Sequence, residues 1–202
     1  MKRFILFAVI LAFIVVGAIA YAPYYLARTN KPVKSDVIVL LIGSKFTPRK
    51  EEALKLIEDG YARQLIVPAY GKVSDAGLFT AQSAQTNPKP DRSLIRGRVV
   101  RLSNYPKYFE DTHVEILEAK KMMDKTGSKS AIFVSSPYHM RRIGIIANKV
   151  FGKKDYKLIF VPSRYEQHSG PLWFVNKRDL KFVTTEYSKI IWFTLYGLLP
   201  RR

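Results

Sequence analysis

Between Phe4 and Ala22 lie 19 residues without a charge, an amide side chain or a proline, and nothing else in the 202-residue chain restricts its folding as much. As a helix rising ~1.5 Å per residue the run is ~28 Å long, close to the ~30 Å hydrocarbon core of a bilayer. Lys2 and Arg3 precede it. Basic flanks stay on the cytoplasmic side, so they predict that everything after Tyr21 lies across a cytoplasmic membrane, facing the periplasm or the cell exterior. The small-x-small sequence Ala18-Ile19-Ala20 also fits a signal-peptide cleavage site, and a retained anchor over residues 1–22 and a cleaved signal both stay open. Length favours the anchor, because the run exceeds the roughly 7–15 apolar residues of a signal peptide.

A second apolar run, Ile190 to Leu199, is too short to span. It is expected as a C-terminal helix buried on the domain, although Trp192, Tyr196 and Arg201-Arg202 would also suit a helix lying at a membrane surface. Hydrophobic residues at 48% and aromatics at 13% give enough apolar surface to offset chain entropy and exclude a disordered or fibrous protein. Zero cysteines exclude disulfide scaffolds, thiolate zinc sites and thiol nucleophiles. His113, His139 and His168 show no paired metal spacing, so neither a metal nor a cofactor is expected. With 34 Lys+Arg against 16 Asp+Glu the net charge is +18, which suits phosphate groups or anionic lipids. Nucleic acid is not the expected partner, given the exported topology and the lack of a recognition motif.

Residues 23–35 mix proline, asparagine and basic residues without periodicity and are expected to be a linker, with the domain running from 36 to 202. Val37 to Ile42 is a continuous aliphatic run stopped by Gly43, as a strand buried on both faces requires. A helix follows, with Thr47 as cap, Pro48 in its first turn, a stripe of Ala53, Leu54 and Ile57, and Gly60 as terminator. Gln64 to Val67 is the next strand. The same pattern recurs in a helix from Asp111 or Thr112 to Gly127, carrying Val114, Leu117 and Met122 on one face, and in a strand at 131–134. A helix capped by Ser136 and running to about Val150 comes next, then a strand at 158–161. Ser74 to Gln85 reads as a helix, 86–92 as a loop and 98–102 as a strand. This alternation predicts an α/β domain with a mostly parallel sheet, helices on both faces and a transmembrane helix in front.

In such sheets ligands bind beyond the carboxyl ends of the strands. That rule selects Gly43 and Ser44, Tyr70 and Gly71, Glu110, Asp111 and Thr112, and the segment Ser135-Ser136-Pro137-Tyr138-His139-Met140-Arg141-Arg142. Two hydroxyls, an imidazole and two guanidiniums at a helix N-terminus suit an anion. The structural alternative gives Ser136 a capping role, Tyr138 and Met140 a place in the core, and Arg141 a solvated face. A Ser136–His139 nucleophile pair is disfavoured, since G-x-S-x-G is absent.

The order DVIVLLIG, then Arg49-x3-Ala53-x6-Gly60, then EDTHVEILEAKKMM, then FVSSPYHMRR, then an aromatic-rich end resembles the YdcF-like family over residues 36–196. This is a domain of unknown function that includes the SanA/ElyC-type bacterial envelope proteins. Ser-x-x-Tyr-His-Met-x-Arg is the most specific element, supported by Asp111, Thr112 and Glu115. The resemblance implies a Rossmann-like fold, a single N-terminal anchor and a role in envelope integrity or in peptidoglycan or lipid-carrier metabolism. One relative binds S-adenosylmethionine, so an S-adenosylmethionine or nucleotide binder is a further alternative. Gly43-Ser44-Lys45 and Ala69-Tyr70-Gly71 depart from the family's glycine-rich loops, which favours a non-catalytic envelope scaffold as the competing reading.

The leading expectation is an anchored domain binding an anionic, phosphate-bearing envelope precursor. His139 would be general acid or base, and Glu110 or Glu115 would orient or activate a water. Arg142 with the amides of Ser135 and Ser136 would hold phosphate, helped by Gly43 and Ser44 and by Thr112. Gly43, Ser44, Thr112, Ser135, His139 and Arg142 should then converge on one cleft.

Overall fold

Val37, Val39 and Leu41 point to one face of the first strand and Ile38 and Leu40 to the other, and all five are buried, so the sheet must be covered on both sides. The structure, a computed structural model, describes residues 2–43, 46–75, 105–152, 155–166, 170 and 172–198. Its elements are α1 (Lys2–Leu26), β1 (Val37–Leu40), α2 (Phe46–Glu58), β2 (Gln64–Val67), β3 (Lys72–Asp75), α3 (Asp111–Thr126), β4 (Ser130–Ser135), α4 (Met140–Phe151), β5 (Lys157–Pro162) and α5 (Lys177–Gly197). Single 3-10 turns occupy Pro68–Tyr70, Pro137–His139 and Trp173–Val175.

The strands lie in the order β3-β2-β1-β4-β5, parallel except for β3. Ala53 and Leu56 of α2 close one face over Ile38, Leu40 and Leu65. Ile116 and Met123 of α3, Ile143 and Ile146 of α4, and Phe193 and Tyr196 of α5 close the other over Phe133 and Phe160. The expected α/β architecture is therefore the observed one, with an apolar helix in front that is long enough to cross a membrane.

Several boundaries differ from expectation for local reasons. Thr47 lies inside α2, which begins at Phe46, and does not act as its cap. The fully buried face of α2 is Arg49, Glu52, Ala53 and Leu56; of the expected stripe Ala53 is buried, Ile57 packs half-buried on the same core and Leu54 is half-buried. Ser74 and Asp75 belong to β3 rather than to a helix, because Gly71, at φ 60°, reverses the chain after Pro68–Tyr70 and lays 72–75 antiparallel on β2. The remainder of that expected helix, the loop at 86–92 and the strand at 98–102 lie outside the described residues. In α3 the buried stripe is Val114, Ile116, Ala119, Met122 and Met123, with Leu117 half-buried. The C-terminal helix starts at Lys177, capped by the Asn176 side chain, which accepts from Arg178 N. It packs through Phe193 and Tyr196, as expected, while Ile191, Trp192 and Leu195 stay exposed.

Residues 23–35 are not a free linker. Pro23 to Leu26 continue α1, and Leu26 is fully buried with Tyr138, Trp173 and Val183. Asn30 then brackets the outer edge of β5, donating its N–H to Phe160 O at 2.8 Å and accepting from Phe160 N at 3.1 Å. Pro23 has no N–H, so the carbonyl four residues earlier, that of Ile19, loses its helical donor. The Trp173 indole supplies one, with Nε1 2.7 Å from Ile19 O. Tyr187 OH donates to Ala22 O at 2.9 Å and Arg141 Nε to Tyr25 O at 2.9 Å.

Trp173→Phe should lower stability in detergent by about 1–3 kcal/mol, the loss from leaving a carbonyl unpartnered. In a Pro23→Ala background the restored backbone donor should make the same substitution cost less. Thermal unfolding of the four variants reads the coupling, and equal costs in both backgrounds would show that the indole–carbonyl bond contributes nothing.

Candidate functional site

The chain passes from β1 through α2 to β2 on one side, and from β4 through α4 to β5 on the other. The connections diverge between β1 and β4, so a crevice opens beyond their carboxyl ends. A cleft of about 600 Å³ occupies that place. Its floor is Leu41 to Gly43 after β1 and Ser135 at the end of β4, with Arg49 of α2, His139 just before α4, and Arg142 and Ile143 in its first turn. Asp111, Thr112 and Glu115 on the first turns of α3 form one wall. Arg178, Lys181, Phe182, Thr185, Glu186 and Lys189 form the other, at the spacing of a single face of α5. Five cationic side chains line the cleft against three carboxylates, which leaves it positive.

At its base Arg142, only 3% exposed, is committed on every side. Nε and Nη2 donate to the two oxygens of Glu186 at 2.8 and 3.2 Å, and Nη1 donates to Glu110 Oε2 and Thr112 Oγ1, both at 2.7 Å. Glu186 Oε1 also lies 2.7 Å from His139 Nδ1. Arg142 Nη2 is 3.3 Å from the same nitrogen, but the shorter contact to a carboxylate assigns the Nδ1 proton to Glu186. The other ring nitrogen, Nε2, has no protein partner among the described residues, and a fifth of the side chain is open to the cleft.

Burial lowers the His139 pKa, and the charges of Arg49 and Arg142 lower it further against the pull of Glu186, so the imidazole is neutral near neutral pH. Burial pushes Glu186 up, but the hydrogen bond and charge of His139 and those of Arg142 outweigh it and hold the carboxyl at about 2. Glu110 moves the other way. Burial raises it beyond what Arg142 and Lys189 recover, and its Oε1 is buried without a hydrogen bond among the described residues. That oxygen is where a proton would reside.

A second buried guanidinium supports the floor. Arg49 donates to Ser136 Oγ from Nε at 3.0 Å and Nη2 at 2.7 Å, and to Leu41 O from Nη1 at 3.1 Å. Ser136 Oγ donates to Glu166 Oε1 at 2.5 Å. Gly43 is required for this approach, since a Cβ there would meet Arg49 Nη1 at 2.5 Å, and the guanidinium is too firmly held to move aside.

The expected residues fall into three groups. Gly43, Thr112, Glu115, Ser135, His139 and Arg142 converge on the cleft. Glu110 does not reach a ligand position, because it stands behind Arg142. Ser136 neither caps α4 nor faces the cleft through its hydroxyl, which is bound between Arg49 and Glu166. Ser44 lies outside the described residues. Arg142 is a brace with four of its five N–H donors held by Glu186, Glu110 and Thr112, which leaves most anion contact to Arg178, Lys181 and Lys189 on α5. Sequence reasoning missed that wall and Glu186. Asn176 as cap followed by the spacing of 178, 181, 182, 185, 186 and 189 was the available signal. Among the described residues no group of three or more His, Cys, Asp or Glu could hold a metal ion. No protein-family profile, no curated protein and no solved structure matches this chain.

Two outcomes follow for stability. The unfolded chain takes a proton on His139 near pH 6.5 that the folded state resists, so stability should be full above that pH and fall as the solution is acidified through it. Glu186 should add a second loss from about pH 4.5 down to about 2, as its paired carboxylate is protonated. Thermal midpoints across pH check both, and His139→Gln should remove the first limb and shrink the second, because His139 helps to hold Glu186 down. Glu186→Ala, which leaves Arg142 buried with half its charge compensation, should cost about 3–5 kcal/mol.

Proposed function

We propose that this chain is a membrane-anchored member of the YdcF-like family whose cleft binds an anionic, phosphate-bearing envelope metabolite, with His139 as general base. Lys2 and Arg3 would hold the amino terminus in the cytoplasm and place the cleft on the outer side of the membrane. The observation that carries the reading is the Glu186–His139 pair. A buried carboxylate fixes the Nδ1 proton at 2.7 Å and turns a neutral Nε2 toward a cleft walled by Arg178, Lys181 and Lys189. A base poised beside basic side chains suits deprotonation of a water or hydroxyl next to bound phosphate.

A binding role without chemistry is the second reading. It is favoured by one observation: among the described residues no hydroxyl is hydrogen-bonded to His139, so the structure holds no ready nucleophile for it. The two readings diverge on His139→Ala, which should lower turnover of a bound phosphate ester or anhydride by about 10²–10⁴-fold if His139 is the base. Unchanged envelope integrity in cells carrying that variant would favour the binding role.

Binding itself is tested by titrating the purified full chain with a short polyprenyl phosphate and with inorganic pyrophosphate. A dissociation constant of about 1 mM or tighter is expected, weakened about ten-fold by Lys181→Ala combined with Lys189→Ala. No affinity for either probe, or affinity indifferent to the double substitution, would remove the cleft as an anion site.

A further inference from the structure

Leu172, Phe174, Val175 and Leu180 are exposed apolar side chains close together in the chain, with Leu172 69% and Val175 72% exposed and Phe174 and Leu180 partly covered. Where they sit is set by α1. Trp173, between Leu172 and Phe174, donates to Ile19 O, the carbonyl left over by Pro23, and Tyr187 donates to Ala22 O. Both acceptors lie within the uncharged Phe4–Ala22 run. Measured from Phe4 at ~1.5 Å per residue, Ile19 is ~22 Å and Ala22 ~27 Å along a run matched to a ~30 Å hydrocarbon core. The Trp173 indole is therefore tied to α1 just inside the far boundary of that core.

The chain around these side chains is ordered as an interface orders its residues. Apolar side chains at 172, 174 and 175 are followed at once by Lys177, Arg178 and Lys181, all exposed. Tyr21, Tyr24 and Tyr25 stand exposed on α1 at the same level. A domain that hung clear of the bilayer would have no use for a bare apolar turn attached to its membrane helix at that depth.

We propose that residues 172–175, with Leu180, insert into the leaflet that surrounds the end of α1, while Lys177, Arg178 and Lys181 lie among its headgroups. This is a second membrane contact beside the spanning helix, and it presents the first turns of α5 at the membrane surface. The inference rests on α1 crossing the bilayer, and it shares Arg178 and Lys181 with the wall of the cleft.

The chain has no cysteine, so single introduced thiols report position without background. Phe174→Cys and Val175→Cys, carrying an environment-sensitive fluorophore, are examined in the full chain reconstituted in phosphatidylcholine–phosphatidylglycerol vesicles that contain acyl-chain quencher lipids. Phe13→Cys on α1 and Lys125→Cys, at the end of α3 remote from the cleft, serve as references. Labels at 174 and 175 should be blue-shifted and lose most of their emission, as the label at 13 does, while the label at 125 keeps its own. Emission at 174 and 175 that matches the label at 125, with the label at 13 quenched, would overturn the second contact and leave α1 spanning. An unquenched label at 13 would overturn both.

Discussion

The position of Arg142 governs the rest of the site. A guanidinium with 3% of its surface exposed is costly unless carboxylates answer it, and its own helix supplies none. Glu186 comes from α5 and Glu110 from the residue before α3. Satisfying one buried charge therefore brings the two walls of the cleft together and seats them on α4. Glu186 has one more contact to give, and it goes to His139, so the tautomer and orientation of the imidazole follow from the same pairing. Apolar residues of similar volume would stabilise that position as well or better. What the charged arrangement adds is a defined imidazole facing a positive cleft.

Arg49 repeats the device on the other side of the floor with different partners. It reaches across from α2, passes over Gly43 and ends on the Ser136–Glu166 pair. Two independent guanidiniums thus fix the ends of β1 and β4, the strands between which the crevice opens. Rigid elements hold the polar groups, while the exposed cations on α5 remain free to adapt to an anion.

The apolar helix is structurally part of this assembly. Pro23 would be a defect in an isolated helix, yet it creates the acceptor that Trp173 uses, and the contacts of Ala22, Tyr25 and Leu26 extend the junction across α4 and α5. The helix ends beside His139 and its neighbours, because Leu26 packs on Tyr138. Orientation of the domain relative to α1 is set by hydrogen bonds and buried area, so the cleft has a fixed attitude to whatever surrounds the helix.

The sequence by itself determined the elements whose causes are local. Short aliphatic runs marked β1, β2, β4 and β5, and Gly127, at φ 71°, ended α3 where expected. The membrane-length helix was legible from composition alone, and the strand-end rule found His139, Arg142, Thr112, Ser135 and Gly43. Only the tertiary structure decided what those groups do. Glu186 is 44 residues from Arg142 in the chain, Ser136 is 87 from Arg49, and Trp173 is 154 from Ile19. Periodicity reports which face of a helix is buried, not which distant charge it meets. The same guanidinium that reads as an anion clamp in sequence becomes a brace once two carboxylates arrive, one from α5 and one from the residue before α3, because a buried charge is satisfied by its nearest opposite.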